Sequence, residues 1–263
     1  MRRSEIVKLK DRKMLLAIDV GNTTITFGLF RKERLIKQWW VPTGQISVNL
    51  FRKGILKSPR LSAIIISSVV PKTLTELKKK LIHYLGIKPL IVGRDITINI
   101  LNLYHNPEQV GSDRLVNAVA GYEFYGGPLI IVDFGTAITF DVISRKGAYL
   151  GGIIAPGVKV SLDALSERAA LLPRISLSRP KSLVGKETSQ SMASGIIYGF
   201  SALCEGIVRR LKKKYGSNIG VIATGGQAKN IVPYCKNINK VRLDLTLQGL
   251  RLIYQNYLLD KNS

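Results

Sequence analysis

Two α/β lobes of similar plan, each a mixed sheet flanked by helices, are predicted for this chain of 263 residues on three grounds. The first is a repeat: Leu15 to Phe30, LLAIDVGNTTITFGLF, returns as LIIVDFGTAITFDVI at Leu129 to Ile143. Asp19 and Asp133, and the Ile-Thr-Phe triplets starting at Ile25 and Ile138, are offset by nearly half the chain, the second offset being one residue shorter. The copies therefore differ by one deleted residue between the acid and the triplet. The second ground is an apolar content of 46%, enough for two separate cores. The third is that the same order of strand and helix patterns follows each copy.

In the first lobe, apolar runs near Met14 to Val20, Thr24 to Phe30 and Arg34 to Val41 are spaced as a meander of three strands. A helix is expected around Ile46 to Leu56, then a strand at Ala63 to Ser67. Pro71 opens a helix with Leu74, Leu77, Leu81 and Leu85 at helical spacing. A short strand near Leu90 precedes the polar segment Tyr104 to Arg114, and Leu115 to Tyr125 reads as helix before the Gly126-Gly127-Pro128 breaker. That breaker divides the chain into lobes over 14–126 and 127–263, after a basic extension over 1–13.

The second lobe repeats the order. Strands are expected at Leu129 to Asp133, Ala137 to Ile143 and Ala148 to Ile154, then a helix after Pro156 with Val160, Leu162 and Leu165. Ser178 to Lys186 reads as a loop. Ser194 to Tyr215 carries Ile196, Ile197, Phe200, Leu203, Ile207, Val208 and Leu211, a broad apolar face suited to a core or a subunit interface. Gly220 to Ala223 reads as a strand running into Thr224-Gly225-Gly226, followed by a helix, a strand near Val241 and a final helix over Leu247 to Leu258.

The repeated turns point to chemistry. Each apolar strand ends at an aspartate and turns on glycine, where backbone N–H groups approach an anion closely. Asn22, Thr23, Thr24 and Thr136 add side-chain donors, and Asp19 and Asp133 stand where a carboxylate can hold a metal ion or its water shell. One such turn is ordinary. Two at half-chain spacing describe a two-lobed nucleotide site.

Composition narrows the class. The net charge of +23 raises the question of nucleic acid, but the basic residues are dispersed. Their densest runs, Lys78 to Lys80 and Arg209 to Lys214, sit near the ends of helical patterns, where cations complement the helix dipole. No specific nucleic-acid partner is expected, and the positive field favours anionic substrates such as ATP. Cys204 and Cys235 fall in unrelated contexts, so neither a disulfide framework nor a cysteine-rich metal site is indicated, and two histidines argue against zinc. Asp19, Asp133 and Asp141 interrupt the longest apolar stretches, and MRRSEIVKLKDRK is not followed by a signal-peptide core. The expectation is a cytoplasmic protein with no membrane partner.

Five motifs, DVGNTT at Asp19 to Thr24, YHNPEQVGSDR at Tyr104 to Arg114, DFGTAIT at Asp133 to Thr139, GGIIAPGV at Gly151 to Val158 and GKET at Gly185 to Thr188, together resemble the type III pantothenate kinase family. The likeness covers nearly all of Leu15 to Leu258. It implies two ribonuclease H-like lobes of the sugar kinase, actin and heat-shock ATPase superfamily. It also implies ATP-dependent phosphorylation of the terminal hydroxyl of pantothenate, the first step toward coenzyme A.

By the same resemblance, Asp19, Val20, Gly21, Asn22, Thr23, Thr24, Ile25 and Thr26 bind the ATP phosphates with magnesium, and Thr136 contacts ATP. Tyr104, Gly111, Ser112, Asp113, Arg114 and Thr188 contact pantothenate, with Asp113 as proton acceptor; Thr188 then lies near the interface of a homodimer. Asp133 holds a monovalent cation, potassium or ammonium. Gly225-Gly226 resembles the adenosine-side loop of the superfamily, although a helix entry turn explains it equally well. One departure is Ile138, where the family commonly has threonine. An accessory transcriptional regulator and a kinase of another small acceptor are the competing readings. Retention of Asp19, Asp113 and Asp133 argues against the first, and the Tyr104 to Arg114 signature against the second.

Overall fold

The computed structural model describes residues 14–46 and 61–261. The extension over 1–13 and, beyond Ile46, the helix expected to Leu56 lie outside the described residues. Strands β1 (Met14–Val20), β2 (Thr24–Arg31), β3 (Arg34–Pro42), β4 (Leu61–Ser68) and β5 (Leu90–Ile91) form one sheet in the order β3-β2-β1-β4-β5. Strands β6 (Leu129–Phe134), β7 (Ala137–Ile143), β8 (Tyr149–Pro156), β9 (Gly220–Thr224) and β10 (Lys240–Val241) form the other, in the order β8-β7-β6-β9-β10. The two orders are the same plan. In each sheet the first three strands pair antiparallel and the last two join in parallel.

Register locates the deleted residue. Asp19 pairs with Thr26, and Val20 with Ile25, across β1 and β2. Asp133 pairs with Thr139, and Phe134 with Ile138, across β6 and β7. The acid and the triplet threonine thus face each other in both hairpins, and the missing residue belongs to the second turn.

Helices α1 (Pro71–Leu85), α2 (Ser112–Tyr125), α3 (Val158–Arg168), α4 (Thr188–Tyr215), α5 (Ala228–Ile231) and α6 (Leu245–Asp260), with 3-10 turns at Pro107–Gln109 and Val232–Tyr234, complete the described elements. The chain divides into two compact units. Unit one takes the described residues within Met1–Asn99, together with Glu108–Ala120 and those of Thr246–Ser263; unit two takes Ile100–Pro107 and Gly121–Leu245. This differs from a single division after residue 126. Segment 100–107 goes with unit two because its backbone bonds to Tyr149, and α6 goes with unit one because of the face it covers.

Alternation explains that face. In β1, Leu16, Ile18 and Val20 point to one side and join Leu77 and Leu81 of α1, while Leu15 and Ala17 point to the other. That second side is covered by Val116 of α2 and by Leu247, Leu250 and Ile253 of α6. A sheet buried on both faces needs the nearly unbroken apolar run that β1 shows. In unit two, Ile130, Val132, Phe134, Ile138 and Phe140 pack against Val158 and Leu162 of α3 and the apolar stripe of α4. By length and composition α4, with 28 residues, passes for a membrane span. Its Met192, Ile196, Ile197, Cys204, Val208 and Leu211 are instead spent on the unit-two core.

Two helices begin earlier than their apolar spacing predicts. The first turns of α2 (Ser112, Asp113, Arg114) and of α4 (Thr188, Ser189, Gln190, Ser191) are polar, so periodicity does not see them, although such residues suit a helix N-terminus. In α3, Val158 and Leu162 face the core one turn apart, whereas Val160 and Leu165 of the predicted apolar set are exposed.

Candidate active site

In unit one, β1 delivers Asp19 to the end of the sheet and the chain turns through Gly21, Asn22 and Thr23 into β2. The turn closes with Gly21 N–H donating to Thr24 O at 3.0 Å. The segment after β3 braces it: Thr43 Oγ1 donates to Gly21 O at 2.7 Å, and Thr43 N–H to Thr23 O at 3.0 Å. Asn22 and Thr23 are exposed and Thr24 half-buried. Val20 and Ile25 are fully buried in the unit-one core, so any contact of theirs with a phosphate runs through the main chain. Thr26 is half-buried on the ladder opposite Asp19.

The start of α2 stands beside this turn. Asp19 is the register partner of Ser67 on the parallel strand β4. Ser67 is fully buried, and its Oγ lies 2.9 Å from Ser112 Oγ in the first turn of α2. Ser112 Oγ also reaches Ser68 O at 3.4 Å. The next residue is Asp113, whose Oδ1 accepts the Arg114 N–H at 2.8 Å. Gly111 makes room for that carboxylate, since a Cβ there would stand 2.5 Å from Asp113 Oδ1. Arg114 is buried, 8% exposed. Asp19, Gly111, Ser112, Asp113 and Arg114 are therefore gathered at one end of one sheet. The sequence singled them out from separate motifs, and the Ser67–Ser112 bond that links them went unseen.

In unit two the turn after β6 is tighter, closed by Gly135 N–H to Ala137 O at 3.1 Å. Backbone from two other places crowds it. At Gly157, just before α3, a Cβ would overlap the carbonyls of Thr136 and Gly135. At Gly225, after β9, a Cβ would overlap Asp133 Oδ1 and stand 2.6 Å from Phe134 N, and φ of +90° adds strain for any side chain. Gln227 N–H donates to Phe134 O at 3.1 Å, fixing the Gly225-Gly226 turn on the end of β6. Asp133 is half-buried and Thr136 exposed. Gly225 is thus a neighbour of the acid, a role its sequence context left undecided.

Tyr104 also belongs to unit two. Its backbone is set by Asn102, whose Oδ1 accepts the Tyr104 N–H at 3.1 Å and whose Nδ2 donates to Pro107 O at 3.2 Å. Tyr149 at the start of β8 flanks this segment, donating its N–H to Leu101 O at 2.8 Å and accepting Leu103 N–H at 2.9 Å. Tyr149 is itself fully buried, with its hydroxyl donating to Asp141 Oδ1 at 2.7 Å. Asp141 Oδ2 takes a second hydrogen bond from Thr139 Oγ1 at 2.9 Å. A buried carboxylate so bonded is a firm anchor, and it ties the Tyr104 segment to the Asp133 hairpin. The Tyr104 ring lies over Gly151, where a Cβ would be 3.7 Å from Cδ2. Thr188 is exposed at the start of α4.

Among the described residues no three His, Cys, Asp or Glu side chains cluster to cage a metal ion. Single carboxylates at glycine turns suit magnesium, which keeps its waters and shares substrate phosphates. The turns fit a phosphate group: Gly21 at the end of β1, and Gly157 and Gly225 beside the end of β6, leave main chain open at the turns themselves.

The chain is similar to proteins of one family. The type III pantothenate kinase family model matches residues 15–210. The type III pantothenate kinase of Syntrophus aciditrophicus is 47% identical over 251 residues, covering 92% of this chain and 99% of that protein. Two solved structures share the fold. A Baf family transcriptional activator from Campylobacter jejuni has a TM-score of 0.57 at 21% identity over 92% of this chain and 98% of its own. The activator of 2-hydroxyisocaproyl-CoA dehydratase from Clostridium difficile, with bound ADPNP, has a TM-score of 0.55 at 12% identity over 95% of this chain and 98% of its own. Five motifs in order, a duplicated sheet plan and near half identity over 92% of the chain lead to one conclusion: the chain belongs to the type III pantothenate kinase family.

Proposed function

We propose that the protein transfers the γ-phosphoryl group of ATP to the terminal hydroxyl of pantothenate, with Asp113 as the proton acceptor. The observation that carries this reading is the Ser67–Ser112 bond, which sets the first turn of α2 against the end of β1, so that Asp113 and the Asp19 turn share one end of a sheet. Phosphoryl transfer asks chiefly for positioning and charge stabilisation. Asp113 supplies an oriented carboxylate, held by the Arg114 N–H, that takes the hydroxyl proton as the new P–O bond forms. Arg114 offers a guanidinium to the pantothenate carboxylate or to transition-state charge. Tyr104 and Thr188 complete the acceptor contacts.

The Asp19 to Thr26 turn holds the phosphates through backbone N–H groups and the Asn22, Thr23 and Thr24 side chains, and Thr136 contacts the nucleotide. Asp19 would hold magnesium and Asp133 a monovalent cation, and the two would supply positive charge that offsets the phosphates. The functional unit is a homodimer in the cytoplasm, with Thr188 near the subunit boundary. A coupled ADP-release assay of the purified chain tests the reading, with magnesium-ATP, with and without pantothenate, in potassium and in sodium. Pantothenate-dependent turnover in potassium is expected, and its absence overturns the assignment. An active monomer by light scattering would remove the dimer from the reading.

A further inference from the structure

The sequence places Cys204 and Cys235 in unrelated contexts, but the fold brings them together. Cys204 lies on the buried stripe of α4 within the unit-two core, and Cys235 packs against the same core just after the Val232–Tyr234 turn. Cys235 Sγ stands 3.5 Å from Ile231 O and 3.9 Å from Ser201 O, the latter three residues before Cys204 on the same face of α4. One residue further on, the Lys236 N–H donates to the Glu205 carboxylate, so consecutive residues of the two segments are clamped side by side. The neighbouring Cys235, reinforced by burial, pushes the Cys204 thiol up, and Cys204 in turn pulls Cys235 down against its burial and the nearby Glu205 charge. Cys204 is fully buried, whereas Cys235 is partly open to solvent.

We propose that Cys204 and Cys235 form a reversible disulfide when the protein meets a hydroperoxide. The Cys235 thiolate attacks the peroxide O–O bond, giving a sulfenic acid at Cys235 and releasing the alcohol or water. Cys204 then attacks that sulfur, the S–O bond breaks, and water leaves as the disulfide closes. Two thiols are oxidised, one peroxide is reduced, and a thiol reductant reverses the step by exchange. Such a pair in a reducing compartment is a redox sensor, not a structural staple. The bond would tie α4 to the segment behind the Gly225-Gly226 turn. The site is independent of the kinase reading, because it rests on two thiols that touch none of the residues assigned to it.

Intact-mass and peptide analysis of the full chain decides the matter. The protein is exposed to hydrogen peroxide, quenched in acid, unfolded and alkylated. The expected chain takes no label, weighs less by two hydrogen atoms, yields one peptide pair joining Cys204 to Cys235, and regains both labels after dithiothreitol. In Cys204→Ser the reaction stops at Cys235, which dimedone traps. Two alkylated thiols after peroxide, a disulfide between chains, or a sulfinic acid at Cys235 in place of the cross-link would each overturn the proposal. The wild-type peptide map stands by itself if the variant does not fold.

Discussion

The two glycine-turned hairpins start from nearly the same sequence and the same sheet position, yet their surroundings differ in kind. The Asp19 turn is backed by side chains. Its register neighbour Ser67 bonds to Ser112, and Thr43 braces its carbonyl from the far side. The Asp133 turn is backed by main chain at Gly157 and Gly225, with no space for a Cβ at either. A duplicated motif thus fixes where an acid and a turn will stand, while residues outside the repeat decide what the turn is for. Side-chain hydroxyls surround the first, and closely approaching backbone surrounds the second.

Removing the acid of α2 tests this contrast most severely. Asp113→Asn should lower kcat by about 10²–10⁴-fold, the range for losing a positioned base, with an unchanged circular dichroism spectrum. A near-normal rate would take the base out of the first unit altogether.

Glycine substitutions compare the turns directly. Gly225→Ala should be the harsher change, since it overlaps Asp133 Oδ1 at positive φ, costing about 1–3 kcal/mol by denaturant unfolding and raising KM for ATP. Gly21→Ala meets only Thr24 O, at 3.2 Å, and should cost less than Gly225→Ala. Equal costs would erase the distinction between a crowded turn and an open one.

Asp133→Asn should flatten the response of the rate to potassium over sodium while leaving the magnesium dependence in place. An unchanged potassium response would return the cation to another site. The mildest change is Ser112→Ala, which removes the hydroxyl contacts to Ser67 and Ser68, each worth about 1 kcal/mol at most, and should shift kcat only a few-fold through the placement of Asp113. If it has no effect on kcat, the serine link is packing and nothing more.

Much of this was legible in the sequence because it depends on local pattern. The strand runs, the Pro71 helix start and the two turns follow from periodicity and punctuation, and the deleted residue proved to lie in the second turn, as the register shows. The polar first turns of α2 and α4 escaped because an apolar stripe carries no information about a helix end that faces water. Ser67 and Gly157 escaped for another reason. A buried serine or a pre-helix glycine gains its meaning from a partner distant in sequence, and a single chain without its fold does not name that partner. The thiol pair is the same case in a sharper form.

The placement of α6 has a consequence for how the protein is made. Its Leu247, Leu250 and Ile253 cover the face of the first sheet that Leu15, Ala17, Phe30 and Ile65 present. Synthesis reaches Leu247, Leu250 and Ile253 only after every residue of unit two. The first sheet to leave the ribosome therefore waits with one apolar side only partly covered, by Val116 of α2, and nascent-chain binding by chaperones should persist until α6 emerges.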